Sequence, residues 1–452
     1  MQPEWAQDAL FYHIYPLGFC GAPEINDPHS APQSRLEKIQ DWIPHMQEIG
    51  INALYLGPLF ESNTHGYDTT DYYHLDRRLG TDETLIKLIR ELHVNGIRVI
   101  LDGVFNHVGR NFWAFRDVLQ YGQNSRYCDW FEGLHFSGHS PLGDPFTYET
   151  WQGHHELVKL NLNNQESQQH LLGAVRYWIE EFGIDGIRLD TADCLNLNFQ
   201  KELSAFTSTL RSDFWLMGEV VHGDYRHWVN PETLHSVTNY ECYKGLYSSF
   251  VDKNFFEIAY SVNRQFGEQG IYRNLPLYNF VDNHDVDRVA SRLQNQAHLY
   301  PMYCLLFTIP GIPSIYYGSE WGLAGLRTKT SDQALRPSLE LDNLRQHAPQ
   351  PDLPNTIQKL SHIRSNSTAL RRGSYQQLLV KPEQLAFIRQ TADQTVIVQI
   401  NASDEPAKFD LPTSVLNCNH VSDLLNDGEK IEIANDRLIT TVFPHWARIL
   451  TL

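Results

Sequence analysis

Residues 165–190 read QESQQHLLGAVRYWIEEFGIDGIRLD. Leu171, Leu172, Val175, Trp178, Ile179 and Phe182 recur at helical spacing, and Gly183 supplies a stop. The run that follows, Ile184–Asp190, is too short and too continuously apolar for a second helix. It closes on Arg188 and Asp190, two apart and therefore on one face of a strand. A helix delivered directly into a buried strand is one step of an alternating α/β architecture.

The rhythm extends in both directions. Leu10–Pro16, Asn52–Leu56, Ile97–Val104, Phe214–Val220, Leu277–Val281 and Ile312–Tyr317 are similar runs, with His235–Tyr240 a weaker eighth. Ser34–Ile49, Asp82–Asn95 and Asn198–Arg211 carry helical periodicity between them, with Ser34 and Asp82 as expected N-caps and Gly96 as a stop. Eight such units in roughly 360 residues predict an α/β fold, a closed (β/α)8 TIM barrel. One interval breaks the pattern. Residues 108–164 are rich in Trp, Tyr, His, Gly and Pro, and are too long for a structureless loop, so a subdomain inserted after the third strand is expected. Beyond a helix at Asn355–Arg364, the segments Tyr375–Val380, Leu385–Gln390, Thr395–Ile400, Ala407–Leu411, Lys430–Ala434 and Arg437–Val442 alternate like antiparallel strands. The expected organisation is a barrel over 1–107 and 165–373, an insert over 108–164, and a C-terminal β-sandwich over 374–452.

The 452 residues are 42% hydrophobic and 12% aromatic, which excludes a disordered chain. A net charge of −18 argues against nucleic acid or an anionic membrane as partner. Six cysteines (Cys20, Cys128, Cys194, Cys242, Cys304, Cys418) stand singly, which fits a reducing compartment rather than a disulfide framework. The N-terminal residues lack a signal-peptide pattern, and no apolar run approaches the ~20 residues that span a bilayer. A soluble, cytoplasmic protein is expected.

In a parallel barrel the chemistry lies at the carboxyl ends of the strands. Those ends carry Asp102, Asn106 and His107 after the third strand, Arg188 and Asp190 on the fourth, Glu219 after the fifth, and Asp282, His284 and Asp285 after the seventh. Each alone could be a cap or a structural ion pair; together they put several carboxylates on one rim. Arg188 beside Asp190 would hold that carboxylate ionised, as a nucleophile requires. Glu219 follows an apolar strand, a setting that raises a carboxyl pKa and suits a general acid. Two carboxyls with opposed protonation needs are the layout of a retaining glycosidase. Tyr67, Tyr72, Tyr73, Trp113, Trp130, Phe131, Trp151, Trp228 and Tyr240 offer flat faces for pyranose rings, with about half of them expected to be core.

These residues, in this order, resemble the α-amylase family (glycoside hydrolase family 13), and within it the cyclomaltodextrinase, neopullulanase and maltogenic-amylase group. Phe11–Pro16 is similar to the family's first strand and Gly66–Tyr73 to the loop after the second. Asp102–His107, Gly186–Asp190, Glu219 and His284–Asp285 match its four central regions. Residues 125–131 and Lys159–Asn161 match the group's insert. The resemblance implies Asp190 as nucleophile, Glu219 as general acid/base and Asp285 as a third carboxylate binding sugar hydroxyls. It implies Tyr67, Asp102, His107, Arg188, His284 and Lys159 as substrate-binding residues, with Asp332 and Arg336 at a neighbouring glycone subsite. No cofactor is required. Many members hold a structural calcium to which Asn106 would be the candidate ligand, and no metal is assigned.

The chain also departs from the group. The barrel begins almost at residue 1, so dimerisation through the group's N-terminal domain is not expected, and monomer or dimer stays open. Val220-Val221-His222 replaces an aromatic residue and His after the acid, and Asp193 stands where Glu or His is usual. The expected activity is retaining hydrolysis of α-1,4 bonds in short linear or cyclic malto-oligosaccharides. The alternatives are a 4-α-glucanotransferase working through the same intermediate, and a barrel kept only as a binding module.

Overall fold

A computed structural model describes residues 3–413 and 419–452, so Cys418 lies outside the described residues. Eight short parallel strands form the barrel: β1 (Phe11–Ile14), β2 (Ala53–Leu56), β3 (Arg98–Gly103), β4 (Gly186–Leu189), β5 (Trp215–Gly218), β6 (Ser236–Val237), β7 (Tyr278–Asn279) and β8 (Ile312–Tyr316). They pair in chain order, and β8 returns to β1 with His13 opposite Tyr316. The ring meets between β6 and β7 at a single parallel bridge, Thr238 to Tyr278.

A buried amide cluster carries this seam. Asn239 donates to Gln265 Oε1 and Asn279 Oδ1, each at 2.9 Å, and Gln265 returns a bond to Asn239 Oδ1 at 3.0 Å. Asn239 also caps the helix Tyr240–Val251 by accepting from the Cys242 N–H. That cap ends the weak sixth strand early, so Tyr240 opens a helix instead of closing a strand.

Alternation sorts the strand residues into two cores. Phe11, Ala53, Tyr55, Ile100, Trp215, Met217, Tyr278 and Ile312 pack together inside the barrel, where Phe11 and Trp215 stack at 5.3 Å. Their neighbours Tyr12, Ile14, Leu54, Leu56, Val99, Leu101, Ile187, Leu189 and Leu216 face the helices. Above the apolar interior layer, the same faces present His13, Asp102 and Arg188, which is how the fold delivers charge to the barrel mouth.

The helices depart from expectation in detail. Ser34–Ile49 divides into a 3-10 segment, Arg35–Trp42, and an α-helix, Ile43–Glu48, whose first turn tolerates Pro44. Ser34 makes no side-chain cap there. Thr81, not Asp82, caps the helix Asp82–Val94, in a reciprocal box with Thr84; the Asp82 carboxylate instead accepts from the Leu75 N–H at 2.8 Å. The helix of residues 165–182 ends in one π turn, Trp178–Phe182, closed by Gly183 at φ 77°.

Between β3 and β4 a helix, Trp113–Tyr121, packs on a three-stranded antiparallel sheet of His107–Gly109, Thr150–Trp151 and His154–Lys159. Phe115, Phe131, Phe146 and Tyr148 form its core. The C-terminal residues form a six-stranded sheet, with Ala407–Pro412 and Arg437–Val442 paired as a second, two-stranded one. Two of its strands, His420–Asp423 and Trp446–Thr451, were not expected from the sequence, and the expected Lys430–Ala434 strand stops at Glu432. Leu385, Phe387, Val396 and Val398 face the barrel side, and Ala386, Ile388 and Ile397 face the smaller sheet. The buried helix Leu299–Thr308 lies at this junction. Arg364 and Arg389 donate to its last carbonyls, Phe307 O at 2.8 Å and Thr308 O at 2.6 Å. Among the described residues no helix is long and apolar enough to cross a membrane.

Candidate active site

Register builds the centre of the site. Asp102 on β3 stands opposite Arg188 on β4, and Arg188 opposite Met217 on β5. The Arg188 guanidinium sits among three carboxylates. Nη1 lies 2.8 Å from Asp102 Oδ1 and 2.9 Å from Asp190 Oδ1, and Nη2 lies 2.8 Å from Glu219 Oε2. All four side chains are buried or nearly so. The main chain fixes the two outer carboxylates as well, since the Asp190 N–H donates to Gly103 O and the Glu219 N–H to Leu189 O.

Thr191 has φ 41°, a left-handed conformation that a β-branched residue rarely takes. Its N–H donates to Glu219 Oε2 at 3.2 Å. The other oxygen, Oε1, accepts from the Tyr240 hydroxyl at 3.2 Å, which in turn accepts from Asn283 Nδ2 at 3.1 Å.

A second arm rises from the loop after β7. Asp285 Oδ2 lies 3.0 Å from His284 Nε2, and its Oδ1 lies 2.9 Å from Arg336 Nη2. Arg336 also donates to His284 O and reaches Asp332 Oδ2 at 3.5 Å, while Arg327 holds Asp332 Oδ1 at 2.8 Å. The Tyr67 hydroxyl joins the arms, bonding His284 Nε2 and donating to Asp102 Oδ2 at 3.2 Å. Tyr55 donates to the same Asp102 oxygen at 2.7 Å.

Shared counter-charge sets the protonation preferences. Burial pushes the Asp190 carboxyl well above its ordinary range; Arg188 opposes this, while Glu219, Asp102 and Asp285 add to it. The Arg188 guanidinium, which favours the ionised form of Asp190 as expected, is divided among Asp102, Asp190 and Glu219. Asp285 is also penalised by burial, but His284 and then Arg336 outweigh it and hold its carboxyl well below the usual range. Burial lowers His107 to about 3, so this ring is neutral at physiological pH.

The remaining expected residues are placed differently. His107 opens the insert, accepts from Asn106 Nδ2 at 3.2 Å and lies 5.7 Å from the Trp151 ring, without bonding any of the four carboxylates. Lys159 stands opposite His107 in the insert sheet, but its ammonium is held by Glu132 at 2.7 Å and Glu149 at 3.3 Å. Tyr72 is core, with its hydroxyl on Val104 O. Among the described residues no group of three or more His, Cys, Asp or Glu side chains is placed to hold a metal ion, and the Asn106 amide nitrogen donates to an imidazole.

Tyr55, Asn283, Thr191 and His13 belong to the site but were not singled out from the sequence. The signal available for Tyr55 and His13 was their position one residue before a strand end on the barrel-facing side.

A (β/α)8 barrel with paired carboxylates at its mouth defines a glycosidase architecture. Residues 14–351 match the family described as alpha amylase, catalytic domain, and residues 375–449 the maltogenic amylase C-terminal domain. The chain belongs to the alpha-amylase family of glycosidases. It is 32% identical over 418 residues to a cyclomaltodextrinase of Bacillus sp, covering 88% of this chain and 73% of that one. The solved structure of a cyclomaltodextrinase superposes with a TM-score of 0.88 at 28% identity, over 100% of this chain and 79% of the other. An acarbose-soaked debranching enzyme of Nostoc punctiforme superposes at 0.83 and 28% identity, over 100% of both chains.

Proposed function

We propose that this glycosidase hydrolyses α-1,4 bonds in short linear or cyclic malto-oligosaccharides with retention, through a covalent glycosyl-enzyme. The observation that carries this reading is the single guanidinium, Arg188, bonded at once to Asp190 and Glu219. It keeps the two carboxyls near one another, as a double displacement requires.

In the first step an Asp190 oxygen bonds to the anomeric carbon while the bond from that carbon to the leaving glucan breaks. Glu219 gives its proton to the departing oxygen. In the second step the Glu219 carboxylate takes a proton from water, the water oxygen bonds to the anomeric carbon, and Asp190 leaves as carboxylate. Asp285, held anionic by His284 and Arg336, accepts hydrogen bonds from sugar hydroxyls and balances developing positive charge on the ring. Tyr67, standing over the Asp102–His284 junction, provides a face for the same ring.

The full-length match to a debranching enzyme favours a second reading, in which α-1,6 branches are also cut. Product analysis on maltotriose, a cyclodextrin, pullulan and soluble starch tests both. The first reading expects fast cleavage of maltotriose and cyclodextrin and slow starch hydrolysis. Maltotriose released early from pullulan, ahead of its own further cleavage, would establish α-1,6 action. Elongated oligomers without new reducing ends would replace hydrolysis by glucanotransfer.

A further inference from the structure

His13 occupies an unusual place for a polar residue. It is inward-facing on β1, one step above the apolar layer of Phe11, Ala53 and Trp215, and only 3% exposed. Its register neighbours are Tyr55 on β2 and Tyr316 on β8. The imidazole stacks on the Tyr55 ring at 4.1 Å with 24° between planes. It meets the His284 ring edge-on at 5.0 Å and 88°, and the Tyr316 ring at 5.0 Å.

Those contacts lead to both arms of the site. Tyr55 holds Asp102 Oδ2 at 2.7 Å, and Asp102 holds Arg188. His284 holds Asp285 Oδ2 at 3.0 Å and bonds Tyr67. Tyr15 and Tyr67 stack against His284 at 5.9 and 5.7 Å, so the His13 edge closes another side of that ring. One five-membered ring therefore supports the two groups that set the spacing between Asp102 and Asp285.

We propose that His13 is a positioning residue for the reaction, the floor on which Tyr55 and His284 rest and which fixes the Asp102 and Asp285 arms relative to each other. Its own protonation plays no part, since burial, then His284 and Arg188, keeps the ring neutral. The imidazole is suited by shape: it is flat enough to stack on Tyr55 and narrow enough to present an edge to His284 without displacing it. A larger ring would overpack the barrel, and an aliphatic side chain would neither stack nor present that edge.

This inference rests on the proposed roles of Asp102 and Asp285, and the test separates the two. Steady-state kinetics on maltotriose are measured for wild type, His13→Ala, His13→Leu and His13→Gln, with urea denaturation of each. Leucine fills the space and guards against failure to fold; glutamine restores a planar polar group. Misplacing the arms by a fraction of an ångström should cost on the order of 10²-fold in kcat for the Ala and Leu variants, with KM changing far less. Glutamine should recover most of that loss. Phe11→Leu, in the layer below, should lower stability without this kcat loss. A wild-type enzyme inactive on every α-glucan would sink the functional reading. An active wild type whose His13→Leu variant kept kcat within about threefold would overturn the role of His13 alone.

Discussion

Asp102 on β3 and Arg188 on β4 are partners across the parallel ladder, and their side chains meet at 2.8 Å inside the barrel. The pair is not self-contained, because the same guanidinium continues to Asp190 and Glu219. A buried charge network of this kind is sensitive to the loss of its single cation, and it makes the geometry of the reacting carboxyls depend on a residue that need not touch the scissile bond.

Arg188→Lys keeps the charge but loses the planar fork that reaches three carboxylates. We expect kcat/KM on maltotriose to fall by ~10²-fold or more with the fold retained. Arg188→Ala should destabilise the chain by about 3–5 kcal/mol, the usual cost of stranding buried charge. Urea denaturation beside the kinetics checks both, and a Lys variant with normal kcat/KM would remove Arg188 from the account.

Glu219→Gln should lose ~10²–10⁴-fold in kcat on maltotriose and much less on an aryl maltoside, whose leaving group needs little proton assistance. Asp190→Asn should be inactive on both substrates while still binding maltotriose by calorimetry. Equal losses on both substrates for Glu219→Gln would argue against its role as acid.

The buried neutral histidines should cost stability on acidification. Burial depresses His107 to about 3 and His235 to about 4, and lowers His13 as well. An unfolded His takes up its proton near pH 6.5, so between pH 6.5 and about 3 the unfolded state binds more protons and the folded state loses ground. For His107 alone the difference amounts to several kcal/mol at the acid end, on the order of 1.4 kcal/mol per pH unit. Asp285 adds a loss at lower pH, since its depressed carboxyl contributes stability above the unfolded value that vanishes as pH falls through its folded one. Asp190 acts in the opposite sense, because its raised carboxyl takes up a proton in the folded state before the unfolded one. The histidine contribution is therefore read by difference: between pH 7.5 and 4 the urea midpoint of His107→Gln should fall less than that of the wild type.

The seam between β6 and β7 should be the weakest part of the barrel without its amides. Asn239→Ala strands the Gln265 and Asn279 groups it bonds and removes a helix cap. Each buried amide left without a partner costs ~1–3 kcal/mol. A loss below about 1 kcal/mol in urea would show that the bridge at Thr238 and Tyr278 closes the ring unaided.

The barrel was legible in the sequence because its strands are buried on both faces and read as unbroken apolar runs. The site was legible because charged residues such as Asp102, Arg188 and Asp190 have no ordinary place at the end of such runs. Other features were hidden for physical reasons. The helix Leu299–Thr308 is buried almost all round, so it lacks the polar face from which helical period is read. Ser236–Val237, only two residues long, showed no more than the weak run His235–Tyr240, and its partnership with β7 rests on the amides of Asn239, Gln265 and Asn279, which come from separate elements. Lys159 matched the family's insert by position, yet nothing in the sequence could show that Glu132 and Glu149 hold its ammonium. His13 looked like one more residue of a strand, because its value lies in the Tyr55 and His284 rings that the fold sets against it.

If Asp190 and Glu219 act in a double displacement, the anomeric configuration of nascent product records it. Proton NMR during the first minutes of maltotriose cleavage, before mutarotation, reads the configuration at the newly freed anomeric carbon. Two inversions cancel, so the α anomer is expected first, with β growing only as mutarotation proceeds. Initial release of the β anomer would mean a single displacement by water and would contradict the nucleophile role of Asp190.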